Sequence, residues 1–110
     1  MGRWATSRRR GGGPSSVAAL PLPPTPNLEI FEEALIQTTS NGDETGGSCI
    51  LYEGLEQFGT FAAVASSPWA SPTDWTGLPP VEGRWYRATE VGNGVLYAGE
   101  SPPSFSVFWE

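Results

Sequence analysis

The sequence predicts an all-β sandwich behind an extended N-terminal arm, and three observations carry that prediction. Short apolar runs recur about every 8–12 residues between turn signals, the spacing of a sandwich or barrel. The 14 Gly and 11 Pro of the 110 residues fall between those runs, as turns would, and not in one low-complexity tract. A long amphipathic helix is found nowhere. At this length one domain with a modest core is expected, and 38% hydrophobic residues, with five Trp, five Phe and three Tyr, suffice to fill it.

Residues 1–26 read as the arm. "SRRRGGG" is basic and then flexible, and the prolines of "PSSVAALPLPPTP" favour extended polyproline II over a helix. The sandwich occupies residues 27–110. Its strand candidates are "LEIF" (28–31), "ALIQTT" (34–39), "SCILYE" (48–53), "QFGTFAAVAS" (57–66), "RWYRATEV" (84–91), "VLYAG" (95–99) and "SFSVFW" (104–109). Between them stand "SNGDETGG" (40–47), the loop "SPWASPTDW" (67–75) and the turn "GNG" (92–94).

Alternation in the last strand places Phe105, Val107 and Trp109 on the core face, and Ser104, Ser106 and Phe108 on the other. On "RWYRATEV", Tyr86 and Ala88 point inward because Arg is almost never buried unpaired, which leaves Trp85 partly exposed beside Arg84 and Arg87. Trp69 and Trp75 cap the open end of the sandwich in one reading. In the other, they join Trp85 and Phe108 as surface contacts, since exposed aromatics anchor interfaces. The single cysteine, Cys49, lies in an apolar run without a local cation, so a buried and inert thiol is expected.

The composition excludes much chemistry. With no His, Ser-His-Asp and Cys-His arrangements and His-based metal sites cannot be built within one chain. With no Lys, a P-loop or a Schiff-base nucleophile cannot be built either. Carboxylate pairs remain in Glu29, Glu32 and Glu33 and in Glu53 and Glu56, but a glycosidase needs two across a deep cleft. Asn41, Asp43 and Glu44 could approach a Ca²⁺ ion, yet they lack the ligand order of a calcium loop. The expectation is a protein that is not an enzyme and takes no cofactor or metal. No apolar run is long enough for a signal peptide's core or a membrane span. "MGRWAT" fits a myristoylation pattern only loosely, with a charged Arg3 in the way.

Residues 77–109, "GLPPVEGRWYRATEVGNGVLYAGESPPSFSVFW", resemble the second half of a fibronectin type III domain. Leu78 takes the place of that family's Leu-containing turn and Tyr86 that of its aromatic strand residue. Gly92 and Gly94 take the hairpin positions, and "SPPSFSV" introduces the final strand. The layout as a whole, a basic Arg/Gly start, a Pro-rich connector and one sandwich, is similar to small fibronectin-like structural proteins of tailed bacteriophage particles. The resemblance implies a fibronectin type III-like (immunoglobulin-like) β-sandwich in a virion protein, a capsid decoration or a head or tail accessory. Its implied partners are major capsid or tail proteins and further copies of itself, within a virion assembled in the host cytoplasm.

Charge separates the chain into two objects. Residues 1–16 carry four Arg and no acid, +4, whereas residues 17–110 carry two Arg against twelve Asp and Glu, −10. Arg3, Trp4, Arg8, Arg9 and Arg10 are therefore the candidate partner-binding residues of the arm. Arginine forks suit carboxylates on a neighbouring acidic subunit. The alternatives are weak, salt-labile binding of nucleic acid by the arm, or an adhesive or carbohydrate-binding module that uses the sandwich's aromatic faces.

Overall fold

The computed structural model describes residues 20–43 and 46–110. Arg3, Trp4, Arg8, Arg9 and Arg10 lie outside the described residues, as does Glu44 of the candidate calcium loop. The described residues form seven strands and no helix: β1 (Asn27–Phe31), β2 (Leu35–Thr39), β3 (Ser48–Gly54), β4 (Phe61–Pro68), β5 (Thr73–Asp74), β6 (Arg84–Val91) and β7 (Val107–Trp109). They split into a three-stranded sheet, β1-β2-β5, and a four-stranded sheet, β4-β3-β6-β7. Every pairing is antiparallel. Such a split leaves each sheet one apolar face to bury against the other, which is what a sandwich requires.

The core between the sheets is Leu28 and Ile36 from the first sheet, Cys49, Leu51, Tyr86 and Ala88 from the second, and Trp75 just after β5. Period-2 alternation accounts for β3 and β6: Cys49 and Leu51 point inward opposite Glu90 and Ala88. Tyr86 and Ala88 face inward as the alternation predicts. Cys49 is buried, and its thiol is pushed up first by burial and then by the charge of Glu90 beside it, so it is a poor nucleophile. The Glu90 carboxylate, on a residue only 1% exposed, accepts from the Ser40 hydroxyl at 2.9 Å.

Tyr86 also closes the end of the sandwich. Its hydroxyl accepts from the Val81 amide at 2.6 Å and donates to Glu53 at 2.7 Å. A tyrosine at the start of a strand that bonds back to the chain a few residues upstream is the tyrosine corner of immunoglobulin-like sandwiches.

Three sequence expectations need correction. The first concerns the last strand. Tyr86 pairs with Val107, yet Ala88 exchanges hydrogen bonds with Ser104, so two steps along β6 are matched by three on its neighbour. The extra residue is a bulge, and it reverses the alternation. Ser104 is buried, Phe105 is 95% exposed, and only Val107 and Trp109 of the predicted inward trio pack on the core. The cause is "SPPS". Pro102 and Pro103 have no N–H to offer, so Ser101 and Ser104 do the pairing: each donates its amide to a β6 carbonyl and accepts a β6 amide on its hydroxyl oxygen, at 2.8–2.9 Å.

Second, "VLYAG" does not return as a strand; only Val91 and Glu100 form a bridge. Residues 92–99 close instead as a loop, with Gly92 donating to Gly99 and Gly94 to Tyr97. A Cβ on Gly92 would sit 2.3 Å from the Tyr97 carbonyl oxygen, so the loop's return path demands glycine there. Third, the loop 67–75 contains β5, which pairs with β2, and it carries Trp75 inward. Trp75 is 7% exposed and donates to the Thr38 hydroxyl at 3.1 Å, so it is a core residue and not a surface contact.

The Pro-rich stretch is packed from residue 21 on. The Pro21 carbonyl accepts from Ala98, and Pro23 and Pro26 are fully buried. Asn41 fastens its end by donating to the Thr25 carbonyl at 2.7 Å, so its amide serves the fold. Between β1 and β2, Ala34 sits at φ 62° and donates to Phe31. That left-handed conformation costs an L-residue roughly 1 kcal/mol. Ala34→Gly is therefore expected to raise the unfolding free energy by about 0.5–1 kcal/mol, read from the urea midpoint.

Candidate functional site

The outer face of the four-stranded sheet is built by strand register. Phe61 of β4 pairs with Gly54 of β3, Gly54 with Trp85 of β6, and Trp85 with Phe108 of β7. All four strands thus contribute to one aromatic row with a single gap. The gap is functional for packing: a Cβ on Gly54 would approach the Phe61 ring to 3.1 Å, so glycine lets that ring lean over β3. Trp85 and Phe108 touch with ring centroids 5.0 Å apart and planes tilted by 46°. That is a favourable aromatic geometry. Phe108 is still 43% exposed, so the pair presents apolar surface to solvent.

One row along the sheet, Tyr52 pairs with Arg87. The Arg87 guanidinium carbon lies 4.0 Å from the centre of the Phe61 ring, a cation–π contact. Its Nε is buried and has no hydrogen-bond partner among the described residues. Beyond it, Tyr52 and Thr89 both donate to the Glu100 carboxylate. Tyr52 is pushed up first by that hydrogen bond and then by burial, so it remains a donor at neutral pH. Tyr52, Arg87, Thr89, Glu100, Ser101 and Pro103 line a shallow hollow of about 240 Å³.

The turn between β3 and β4 extends this face. The Ser106 hydroxyl donates to the Gln57 carbonyl at 3.1 Å, which lays residues 57–58 alongside residues 105–106. Phe58 is 89% exposed, so two nearly bare phenylalanines, Phe58 and Phe105, flank that hydrogen bond.

Of the sequence-predicted contacts, the structure brings Trp85 and Phe108 together and separates the others. Trp69 is half-buried against the core, its indole N–H without a partner among the described residues, and Trp75 is inside. Sequence reasoning missed Phe61, Tyr52, Glu100 and Phe58. The parity of Arg87 with Trp85 on one strand was the available signal for Arg87. Nothing local announces which residues of β3 and β4 lie opposite.

The face offers stacking surface, a guanidinium and a carboxylate. These are the means of binding. Among the described residues no group of carboxylates and Cys could hold a metal ion. Glu53 is engaged by Tyr86 and lies 3.9 Å from Arg84. Phe108→Ala, at a half-open position, is expected to cost about 2 kcal/mol in urea unfolding, less than a fully buried Phe would. It is therefore a usable probe of binding.

No protein-family model matches the sequence, and no curated protein matches it. Among solved structures, the chain is similar to an Fn3-like protein from Clostridium thermocellum, with a TM-score of 0.52 and 16% identity over 84% of this chain and 95% of that one. At that identity the likeness concerns the fold. Together with the two antiparallel sheets, it establishes the chain as an all-β, fibronectin type III-like sandwich.

Proposed function

We propose that this chain is a non-enzymatic structural protein of a virus particle, a capsid decoration or a head or tail accessory, anchored by its basic arm and presenting its sandwich. The observation that carries the reading is the charge separation, +4 in residues 1–16 against −10 in the rest, on a fibronectin type III-like body. An arm of Arg and Gly with a Pro-rich connector suits docking on an acidic neighbour. The forks match carboxylates, the glycines admit the backbone to a narrow groove, and the prolines limit the entropy lost on ordering. The partners are then major capsid or tail proteins and further copies of the chain.

Co-sedimentation of the full chain with purified particles tests this. Arg8→Glu/Arg9→Glu/Arg10→Glu is expected to lower the bound fraction about tenfold or more, while Trp85→Ala/Phe108→Ala leaves it unchanged. Equal binding by the arm variant and the parent would overturn the anchoring role. The exposed Trp85–Phe108 pair favours a second reading, an adhesive module for sugar rings. On that reading, glycan binding is lost in Trp85→Ala/Phe108→Ala and kept in the arm variant.

A further inference from the structure

The two sheets leave one side of the sandwich open. β1 is an edge of its sheet, paired with β2 on one side and with no described strand on the other. Across from that free edge runs the bulged segment 103–105 of the second sheet. Between them lies a groove of about 830 Å³, lined by Pro26, Asn27, Leu28, Glu29, Pro103 and Phe105. Its walls differ in kind. The β1 wall is an unpaired strand edge, a template for an extended chain. The opposite wall has no N–H at Pro103 and presents the bare Phe105 ring, so it offers apolar contact in place of a second ladder.

The edge is also electrically marked. Glu29 lines the groove, and Glu32 and Glu33 follow directly in the exposed turn after β1. The chain itself holds a segment of matching chemistry. "RRRGGGPSSVAA", residues 8–19, has cations at one end, three glycines that permit close backbone approach, and a short apolar run at the other end. Laid antiparallel to β1, with Val17 beside Leu28, its Arg cluster points toward Glu32 and Glu33. The six residues between Arg10 and Val17 span roughly 20 Å when extended, enough to pass the four between Leu28 and Glu33 at roughly 3.3 Å each.

The same chain's arm is badly placed to do this. Its Pro21 carbonyl is tied to Ala98, and Pro23 and Pro26 are buried, so the polypeptide enters β1 already extended from the N-terminal end. Residues 17–19 could reach β1 only by reversing next to that tether. A neighbour's arm meets no such constraint.

We propose that the groove between β1 and residues 103–105 receives residues 8–19 of a second copy of this chain, added as an antiparallel strand with its arginines directed at Glu32 and Glu33. The contact is head-to-tail, so copies join into chains or rings. The proposal rests on the anchoring reading only in treating the arm as a docking element, and it needs no particle.

The test is the mass of the full chain by light scattering at low salt, with every variant checked by its thermal midpoint. The parent is expected to exceed the 11.8 kDa of one chain. Arg8→Glu/Arg9→Glu/Arg10→Glu and Glu29→Arg/Glu32→Arg/Glu33→Arg are each expected to run as monomers, their association weakened about tenfold or more. An equimolar mixture of the two variants should regain the higher mass, because each arm then finds a groove of opposite charge. A parent that stays at the monomer mass overturns the proposal, as do variants that associate like the parent. A mixture that fails to reassociate overturns docking in trans. Self-association failing while particle binding survives would leave the anchoring reading standing, and the reverse pattern would remove the virion partner alone.

Discussion

Tyr86→Leu is expected to lower the unfolding free energy by about 3–4 kcal/mol, the sum of a cavity in the core and two broken hydrogen bonds. The ring is 1% exposed and sits at the end of the sandwich, where its hydroxyl holds the Val81 amide and the Glu53 carboxylate. Without that hydroxyl the Val81 amide loses its acceptor and Glu53 its donor. Tyr86→Phe separates the two contributions, and a loss of about 1–3 kcal/mol is expected for the hydroxyl alone. Urea unfolding of both variants measures this. A Tyr86→Phe loss near zero would mean that solvent replaces the corner's hydrogen bonds.

The same hydroxyl gives an alkaline signature. Burial, followed by the hydrogen bond to Glu53, pushes Tyr86 up to about 12. In the unfolded chain a tyrosine ionises near 10. Below pH 10 both states keep the proton and the group contributes no slope. Between about pH 10 and 12 the unfolded chain sheds a proton that the fold retains, so stability falls as pH rises through that window. Tyr52, raised by its hydrogen bond to Glu100, acts in the same direction. Tyr86→Phe should flatten part of the alkaline fall, and Tyr86→Phe/Tyr52→Phe more of it.

Ser101→Ala/Ser104→Ala is the second large effect, an expected loss of about 2–5 kcal/mol from the removal of two hydroxyl oxygens. Alanine keeps the Cβ and adds no bulk, so packing is little disturbed. What is lost is the pair of hydroxyl oxygens that accept the buried Glu90 and Ala88 amides at 2.9 Å. The single variants are expected to cost about half each. Retention of parental stability by the double variant would show that the segment re-registers, and exposure of Phe105 would then fall.

That bulge also shows where sequence reasoning stops. Alternation is a reliable guide along β3 and β6 because each is paired on both sides, and two neighbours hold the pleat in phase. It fails at Phe105 because one extra residue inverts parity, and no local propensity marks where a strand opposite will accept it. The turn residues were legible, Gly92 among them, but the return of residues 95–99 as a loop depends on the backbone of Tyr97 crossing Gly92. Trp75 read as a loop aromatic. Its burial depends on the two-residue β5 joining β2, too short a pairing to carry a periodic signal.

The sequence by itself determined the class: an all-β sandwich, the inward faces of β3 and β6, the buried Cys49, and a basic N-terminal stretch of sequence ahead of an acidic remainder. These follow from local alternation, turn chemistry and composition, which each residue carries with it wherever it is placed. Only the tertiary structure decided the sites. The aromatic row Phe61, Trp85 and Phe108 exists because β4, β3, β6 and β7 lie side by side in that register, and the groove exists because β1 and residues 103–105 face each other across the sandwich's open side. Both depend on pairings between residues distant in the chain, and those are set by the lowest free energy of the whole packed domain.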